Sequence, residues 1–565
     1  MQSGSLIPEW LSNYRKEWLR PDIIAGVTAG AVVIPKAMAY ATIAGLPVQV
    51  GLYTAFLPMV IYAVLGTSRA LSVSTTTTLA ILTAAELGAV VPNGDPAMLL
   101  SAAVTLTFLV GAMLAVASIL RLGFVANFIS EPVLVGFKAG IGVVIVVDQV
   151  PKILGVHFAR GTFVHNLVAN LHSIPGTSLA TLLVGVAMIG ILIGMEHWAP
   201  KAPAPLIAVS AGIAGAYLLN LHAHGVELVG HIPKGLPSFT PPVFSLATQL
   251  WPGALGIALM SFTETIAAGR AFTRSDETSP QPNRELLATG LANAGGALLG
   301  AMPGGGGTSQ TAVNRLAGAQ TQASELVTAT MALVTMLFLA PLMGMMPQAT
   351  LAAVVIVYSI ELIKPLEFLN ILGFRRTEFI WAVVAFAGVV LVGTLQGILV
   401  AIIVSLIALA YQTADPPVYV LGRKPGTNVF RQRSDEHPED EAFPGLLLLR
   451  IEGRMFFVNA AHIAEKIDPL VTGAQPKVIA VDLSGVLDIE YTALKMFTAG
   501  VERMRGRGPV VWLVGMNPQV LAVVKKSPLA GVLGGTDAMQ FNVEMAVARY
   551  LHMYEGELSA DTAQQ

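Results

Sequence analysis

Between residues 21 and about 412, long apolar runs alternate with short breaks marked by Gly, Pro and charge; from residue 415 onward the pattern is that of an ordinary soluble domain. The longest runs, 99–120, 179–195, 326–343 and 379–409, have the lengths of helices that cross a bilayer core of about 30 Å. Reading the breaks as boundaries predicts about fourteen membrane segments. Their centres lie near Val33, Pro58, Ala80, Gly111, Ile141, Ala187, Ala211, Leu259, Ala292, Val313, Leu333, Val355, Ala385 and Val404. The chain therefore reads as an α-helical polytopic membrane protein. Its expected parts are an N-terminal cytoplasmic segment (1–20), a transmembrane domain (21–412), a linker (413–443), a soluble α/β domain (444–556) and a tail (557–565).

Loop charge orients the spans. With the N-terminus inside, the cytoplasmic connections hold Arg69, Arg121, Lys201, Arg270, Arg274, Arg284, Arg315, Lys364, Arg375 and Arg376, while the opposite connections hold Lys152, Arg160, Lys234 and little else basic. This positive-inside asymmetry requires an even number of spans and places both termini in the cytoplasm, with the cell inner membrane as the expected location. The stretch Pro8-Glu-Trp-Leu-Ser-Asn-Tyr-Arg-Lys16 is amphipathic and lacks the order of a secretory signal,, so it is expected as an interfacial helix.

Two segments are too short and too polar at one end to be simple spans. One begins at Ser72-Val-Ser-Thr-Thr-Thr-Thr78, the other at Pro303-Gly-Gly-Gly-Gly-Thr-Ser-Gln-Thr311. Each reads as a half helix, and the two stand at corresponding places in two halves of like construction, the pattern that marks the binding site of an inverted-repeat transporter. A helix start carries unpaired N–H groups and about half a positive charge. Two such ends meeting at mid-membrane would attract an anion. Taken singly, a Gly4 run also fits a flexible linker, and Ser/Thr clusters also fit helices that only bond their own carbonyls.

Three charged side chains fall inside apolar stretches: Lys36, Lys138 and Glu264. Each costs roughly 2.5–3.5 kcal/mol at mid-bilayer unless paired or hydrated. Lys36 follows Pro35 in the first span and either adds positive charge to the site or pairs with Glu264. Glu264 either binds a coupling H+ or Na+ or is that partner. Lys138 is expected to snorkel or to pair with Glu131 or Asp148.

Composition supports the membrane reading and narrows the function. Of 565 residues, 54% are hydrophobic and only 12% charged, against about 25% charged in soluble chains. The net charge of -2 says little about partners. The absence of cysteine excludes disulfides, thiol nucleophiles and Cys metal sites,. His157, His165, His172, His222 and His224 sit in outer loops without ligand spacing. No Walker or nucleophile motif supports an ATP-driven pump or a hydrolase, and neither metal, cofactor nor nucleic acid is expected. In the soluble domain, strands at 445–452, 477–483 and 510–515 alternate with helices at 462–471, 491–505, 518–526 and 543–554, which predicts a mostly parallel sheet covered by helices.

The chain resembles the sulfate permease (SulP) anion transporters. The resemblance is carried by Asp22-Ile-Ile-Ala-Gly-Val-Thr-Ala-Gly, Ile34-Pro-Lys-Ala-Met-Ala-Tyr-Ala, Ala44-Gly-Leu-Pro, Gly51-Leu-Tyr, Leu65-Gly-Thr-Ser-Arg, Glu285-Leu-Leu-Ala-Thr-Gly-Leu-Ala-Asn293 and Thr311-Ala-Val-Asn314. The soluble domain is similar to a STAS domain. The resemblance implies a seven-plus-seven inverted repeat, a core domain moving against a gate domain, a homodimer, and an anion between the third and tenth half helices. By motif, the substrate site falls on Lys36, Tyr40, Ser74, Thr75, Thr76, Gly307, Thr308, Ser309 and Gln310, with Glu264 in the eighth span as the coupling residue. Two departures mark this chain. Lys36 stands where the family commonly has Gln, and Gln310 stands where many members have Arg, so the positive charge has crossed the site. In the STAS region Thr492, in Ile489-Glu-Tyr-Thr-Ala493, aligns with the phosphorylated Ser of soluble relatives.

The expected function is therefore secondary transport or exchange of a small anion, with sulfate as the default and bicarbonate or a dicarboxylate as alternatives, coupled to H+ or Na+. A different class of function is a membrane anion sensor or scaffold signalling through a cytoplasmic partner of the STAS domain. Nucleobase transporters share the architecture but lack a STAS domain.

Overall fold

The computed structural model describes residues 9–12, 14–127, 130–158, 161–199 and 202–562. Arg160 and Lys201, counted in the loop charge, and residues 1–8 lie outside them. The chain divides into two compact units, Met1–Leu406 and Ile407–Gln565.

In the first unit every expected centre falls within a helix. In chain order these are α1 (Leu19–Ile43), α2 (Leu57–Leu65), α3 (Thr77–Val90), α4 (Pro96–Ile119), α5 (Glu131–Leu154), α6 (Leu179–Trp198) and α7 (Ala204–Leu218), then α8 (Ala247–Ala271), α9 (Pro282–Ala297), α10 (Thr308–Leu316), α11 (Ala323–Val334), α12 (Gln348–Ile360), α13 (Arg376–Ala387) and α14 (Thr394–Ala414). Two-residue strands β1 (Val73–Ser74) and β2 (Gly305–Gly306) precede α3 and α10. Among the described residues, six stretches are long and apolar enough on their own to cross a membrane. Local chemistry sets the ends: Asp95 caps α4 by accepting from the Met98 N–H at 3.2 Å, and Gly155, at φ 70°, closes α5,.

Small residues let the helices cross closely. A Cβ added at Gly136 of α5 would stand 1.9 Å from the Ala382 carbonyl oxygen of α13, and one at Gly111 of α4 would stand 2.4 Å from the Ala294 nitrogen of α9. Buried carboxylates fasten the loops. Asp22 accepts from the N–H groups of Gln320 (2.7 Å) and Thr321 (3.0 Å) and from the Thr321 hydroxyl (2.6 Å). Glu285 accepts from the Tyr62 hydroxyl at 2.7 Å and from the N–H and hydroxyl of Thr67. Both acids belong to the stretches that carried the family resemblance. Within the expected N-terminal interfacial helix, residues Glu9–Ser12 are helical, and Pro8 and Asn13 lie outside the described residues. Trp10 is buried because its indole N–H donates to the Ala63 carbonyl of α2 at 3.0 Å.

The second unit is a six-stranded sheet. Its strands are β3 (Val418–Arg423), β4 (Phe430–Gln432), β5 (Leu446–Glu452), β6 (Val478–Gly485), β7 (Val510–Val514) and β8 (Met539–Gln540), in the order β4-β3-β5-β6-β7-β8. The pairs from β5 to β8 are parallel, as the alternating pattern predicted. Helices α15 (Ala460–Ala474), α16 (Tyr491–Gly506), α17 (Pro518–Lys525) and α18 (Val543–Thr562) follow the strands. The stretch 413–443, expected as a linker, instead supplies β3 and β4, both antiparallel to their neighbours. Ion pairs hold it: Arg423 with Glu441, and Arg431 with Asp440 at 2.9 Å. Charge on a short edge strand read as linker composition.

The hydrogen bonds from Arg431 hold the Asp440 carboxyl below the usual carboxylate range. A lowered acid adds stability that is present above its ordinary pKa and lost as pH falls through the lowered value. Hydrogen exchange across β3 and β4, corrected for intrinsic rate, is expected to stay slow in the wild type until the pH falls below about 4. In Asp440→Asn it is expected to be fast already at neutral pH. Equal protection in both proteins at neutral pH would show that the pair does not hold this edge.

Candidate functional site

The site is built where β1 and β2 cross as an antiparallel pair, Val73 opposite Gly306 and Ser74 opposite Gly305. The Gly307 N–H extends the pairing to the Ser72 carbonyl at 3.0 Å. So short a ladder leaves backbone groups that side chains must satisfy. Thr265 of α8 accepts from the Gly306 N–H at 2.9 Å, Ser261 donates to the Gly304 carbonyl at 2.7 Å, and Asn293 of α9 bonds both the N–H (2.8 Å) and the carbonyl (3.0 Å) of Gly304. A Cβ at Gly306 would stand 2.7 Å from the Thr265 Cα. The glycine run is thus a close-packed strand rather than a flexible linker.

Both half helices start at this crossing. Thr76 caps α3, accepting from the Leu79 N–H at 3.3 Å. The start of α10 has no side-chain cap, and Gly307 holds the N-cap position. Thr308 and Ser309, in its first turn at the positive end of the helix, are exposed,. Chemically this is a cradle for oxyanion oxygens.

Not every expected site residue points into that cradle. Gln310 is 2% exposed. Its amide oxygen accepts from the Ser74 hydroxyl at 2.9 Å and its amide nitrogen donates to the Thr75 carbonyl at 3.3 Å. It is a tie between the two half helices. The buried Thr75 hydroxyl has no hydrogen-bond partner.

Lys36 enters from α1. It is 2% exposed, and its ammonium donates to the Ser309 hydroxyl at 3.3 Å and lies 3.4 Å from the centre of the Tyr358 ring of α12. The charge absent at position 310 is thereby delivered to the adjoining residue of the same turn. Tyr40, one turn along α1, is buried beside Thr77.

Glu264, on α8, accepts from the Thr76 hydroxyl at 2.8 Å; among the described residues no ion pair joins it to Lys36. The cation whose charge bears on Glu264 is Lys138 of α5. Asp148, one of the partners expected for Lys138, accepts from the Asn166 amide at 2.9 Å. Residues 36, 74–76, 264 and 307–310 therefore meet at one place, while Thr492 lies exposed in the first turn of α16 in the other unit. Sequence reasoning missed Thr265 and Ser261, which flank Glu264 and were legible as polar interruptions of an apolar span. It also missed Tyr358, a lone aromatic in an apolar run with no local signal.

Comparison with known proteins extends over both units. Residues 19–385 match the family model described as the sulfate permease family, and residues 437–545 match the STAS domain. A probable sulfate transporter of Mycobacterium tuberculosis is 34% identical over 526 residues, covering 92% of this chain and 93% of the relative. High affinity sulfate transporter 2 of Stylosanthes hamata is 30% identical over 571 residues, covering 96% and 86%. The solved structure of the murine Solute Carrier 26 family member A9 anion transporter, in the inward-facing state, superposes with a TM-score of 0.88 at 20% identity over 97% of this chain and 96% of that one. The transmembrane domain of a cyanobacterium bicarbonate transporter, BicA, superposes with a TM-score of 0.60 at 24% identity over 69% of this chain and 98% of that one. At these identities the structures speak for the fold.

Proposed function

The chain belongs to the sulfate permease family of membrane anion transporters, and from that premise we propose that it is a secondary transporter or exchanger of a small anion held between the starts of α3 and α10. Sulfate is the first member of the substrate class, with bicarbonate and dicarboxylates beside it. The observation that carries the reading is the meeting of an uncapped helix start, two exposed hydroxyl residues and the Lys36 ammonium at one turn. Free N–H groups and a buried ammonium bind oxyanion oxygens without a resident metal.

The helices divide as the family's movement requires: α1–α4 and α8–α11 form the core, and α5–α7 and α12–α14 the gate. Movement of one against the other alternates access to the site. Glu264 is the coupling residue. It accepts from the hydroxyl that caps α3, so binding H+ or Na+ there changes the cap and, through it, the anion cradle. The protein works as a homodimer in the cell inner membrane, with both termini and the STAS domain in the cytoplasm. Phosphate added to Thr492 would sit at the start of α16, where the helix dipole favours it.

Uptake of radiolabelled sulfate, bicarbonate and succinate into proteoliposomes, with and without Na+ and pH gradients, tests this. We expect one of the three to accumulate and its accumulation to follow one gradient. Glu264→Gln is expected to keep exchange at equal concentrations while losing most of the gradient-driven component. A Glu264→Gln protein that still follows the gradient removes Glu264 from the coupling.

A further inference from the structure

Lys36 is a buried cation that makes no ion pair among the described residues. Its two close partners are a hydroxyl, Ser309 at 3.3 Å, and an aromatic face, Tyr358 at 3.4 Å from the ring centre. Carboxylates are nearby: the charges of Glu361 and Glu196 both bear on Lys36, and Glu196 also lies beside the Tyr358 hydroxyl. Among the described residues, neither acid forms an ion pair with Lys36. The ring, rather than either carboxylate, is in direct contact with the ammonium. The difference matters for an anion site. A carboxylate stabilises an ammonium by cancelling its charge and competes with any incoming anion, whereas a ring face stabilises the cation through its quadrupole and leaves the full charge in place.

The two partners come from neighbouring helices. Lys36 lies on α1, which packs against α10 and α11 and also against α12; Tyr358 lies on α12, which packs most extensively against α5 and α6. The ring is held firmly from behind: a Cβ at Gly142 of α5 would stand 2.7 Å from the Ser359 carbonyl oxygen, so α5 and α12 touch backbone to backbone next to Tyr358. Tyr358 itself is 9% exposed. An ammonium has three donor directions. One is on Ser309, in the exposed first turn of α10, and one side of the ammonium lies on the ring.

We propose that Tyr358 is the positioning residue for Lys36, holding the ammonium charged and aimed at the anion cradle by a cation–π contact made across from α12, and thereby setting anion affinity. The proposal rests on the reading of Lys36 as the cation of the anion site.

The test is a series at position 358, measured as uptake of whichever of radiolabelled sulfate, bicarbonate and succinate the wild type takes up. Tyr358→Leu is expected to raise KM about 30-fold, the size of a desolvated cation–π contact, with kcat little changed. Tyr358→Phe is expected to stay close to wild type, since it keeps the ring and loses only the hydroxyl. Phenylalanines of increasing ring fluorination at 358, nearly unchanged in shape, are expected to raise KM step by step as the quadrupole weakens. That series decides the matter if Tyr358→Leu fails to fold. A flat fluorination series, or a Tyr358→Phe as impaired as Tyr358→Leu, overturns the proposal. Lys36→Gln, measured alongside, separates the two readings. If it loses uptake while the ring series is flat, only the role of Tyr358 falls; if it retains full uptake, the anion-site reading falls first.

Discussion

Lys36→Gln is expected to lower anion uptake in proteoliposomes about 30- to 150-fold. The estimate follows from losing a charge-assisted hydrogen bond of about 2–3 kcal/mol in a desolvated site. The side chain is buried, and the start of α10 has no other cation at hydrogen-bonding distance among the described residues. Glutamine restores the residue common in the family at this place, so the variant tests whether the charge, rather than the length of the side chain, is what this chain needs there. The converse change sharpens the test. Lys36→Gln combined with Gln310→Arg is expected to recover part of the uptake, because positions 36 and 310 bracket Ser309 and a cation from either side reaches the same turn. Recovery is partial because arginine at 310 forfeits the ties to Ser74 and Thr75. Full uptake by the single Lys36→Gln variant would remove Lys36 from the site.

Gly136→Ala is expected to cost the fold about 3 kcal/mol, the upper part of the range for overpacking a tight contact. The added methyl would stand 1.9 Å from a backbone oxygen of α13, which cannot turn away as a side chain would. Alanine otherwise favours a helix over glycine by about 1 kcal/mol, so the sign of the effect reports the crossing itself. Gly190→Ala on α6, where nothing lies within 4 Å of the new methyl, is the matched control and is expected to be neutral or slightly stabilising. Thermal unfolding in detergent, followed by the monodisperse fraction on size-exclusion chromatography, distinguishes them. Equal midpoints for the two variants would mean that α5 and α13 separate without loss.

The positions of the fourteen helical segments, the two interrupted segments and the alternating core of the STAS sheet were legible in the chain itself. Hydropathy, Gly and Pro breaks, and runs of β-branched residues act over one element at a time, so a single sequence records them. The stretch from β3 to β4 was not legible, since a three-residue strand such as Phe430–Gln432 is stabilised by its neighbour and by the ion pair of Arg431 with Asp440 rather than by its own propensity. The meeting of Lys36, Ser74–Thr76, Glu264 and residues 307–310 at one place was legible, because charge and polarity are rare in apolar spans and must face protein or water there,. The task of each residue was decided only in three dimensions. Gln310 faces inward as a tie, Glu264 bonds the hydroxyl that caps α3, and Tyr358, some 320 residues from Lys36 in the chain, becomes its partner. Sequence determines which groups the membrane forces together; the helix crossings, set by glycines such as Gly136 and Gly142, determine which atoms then meet, because a side chain's direction depends on backbones that approach from elsewhere in the fold.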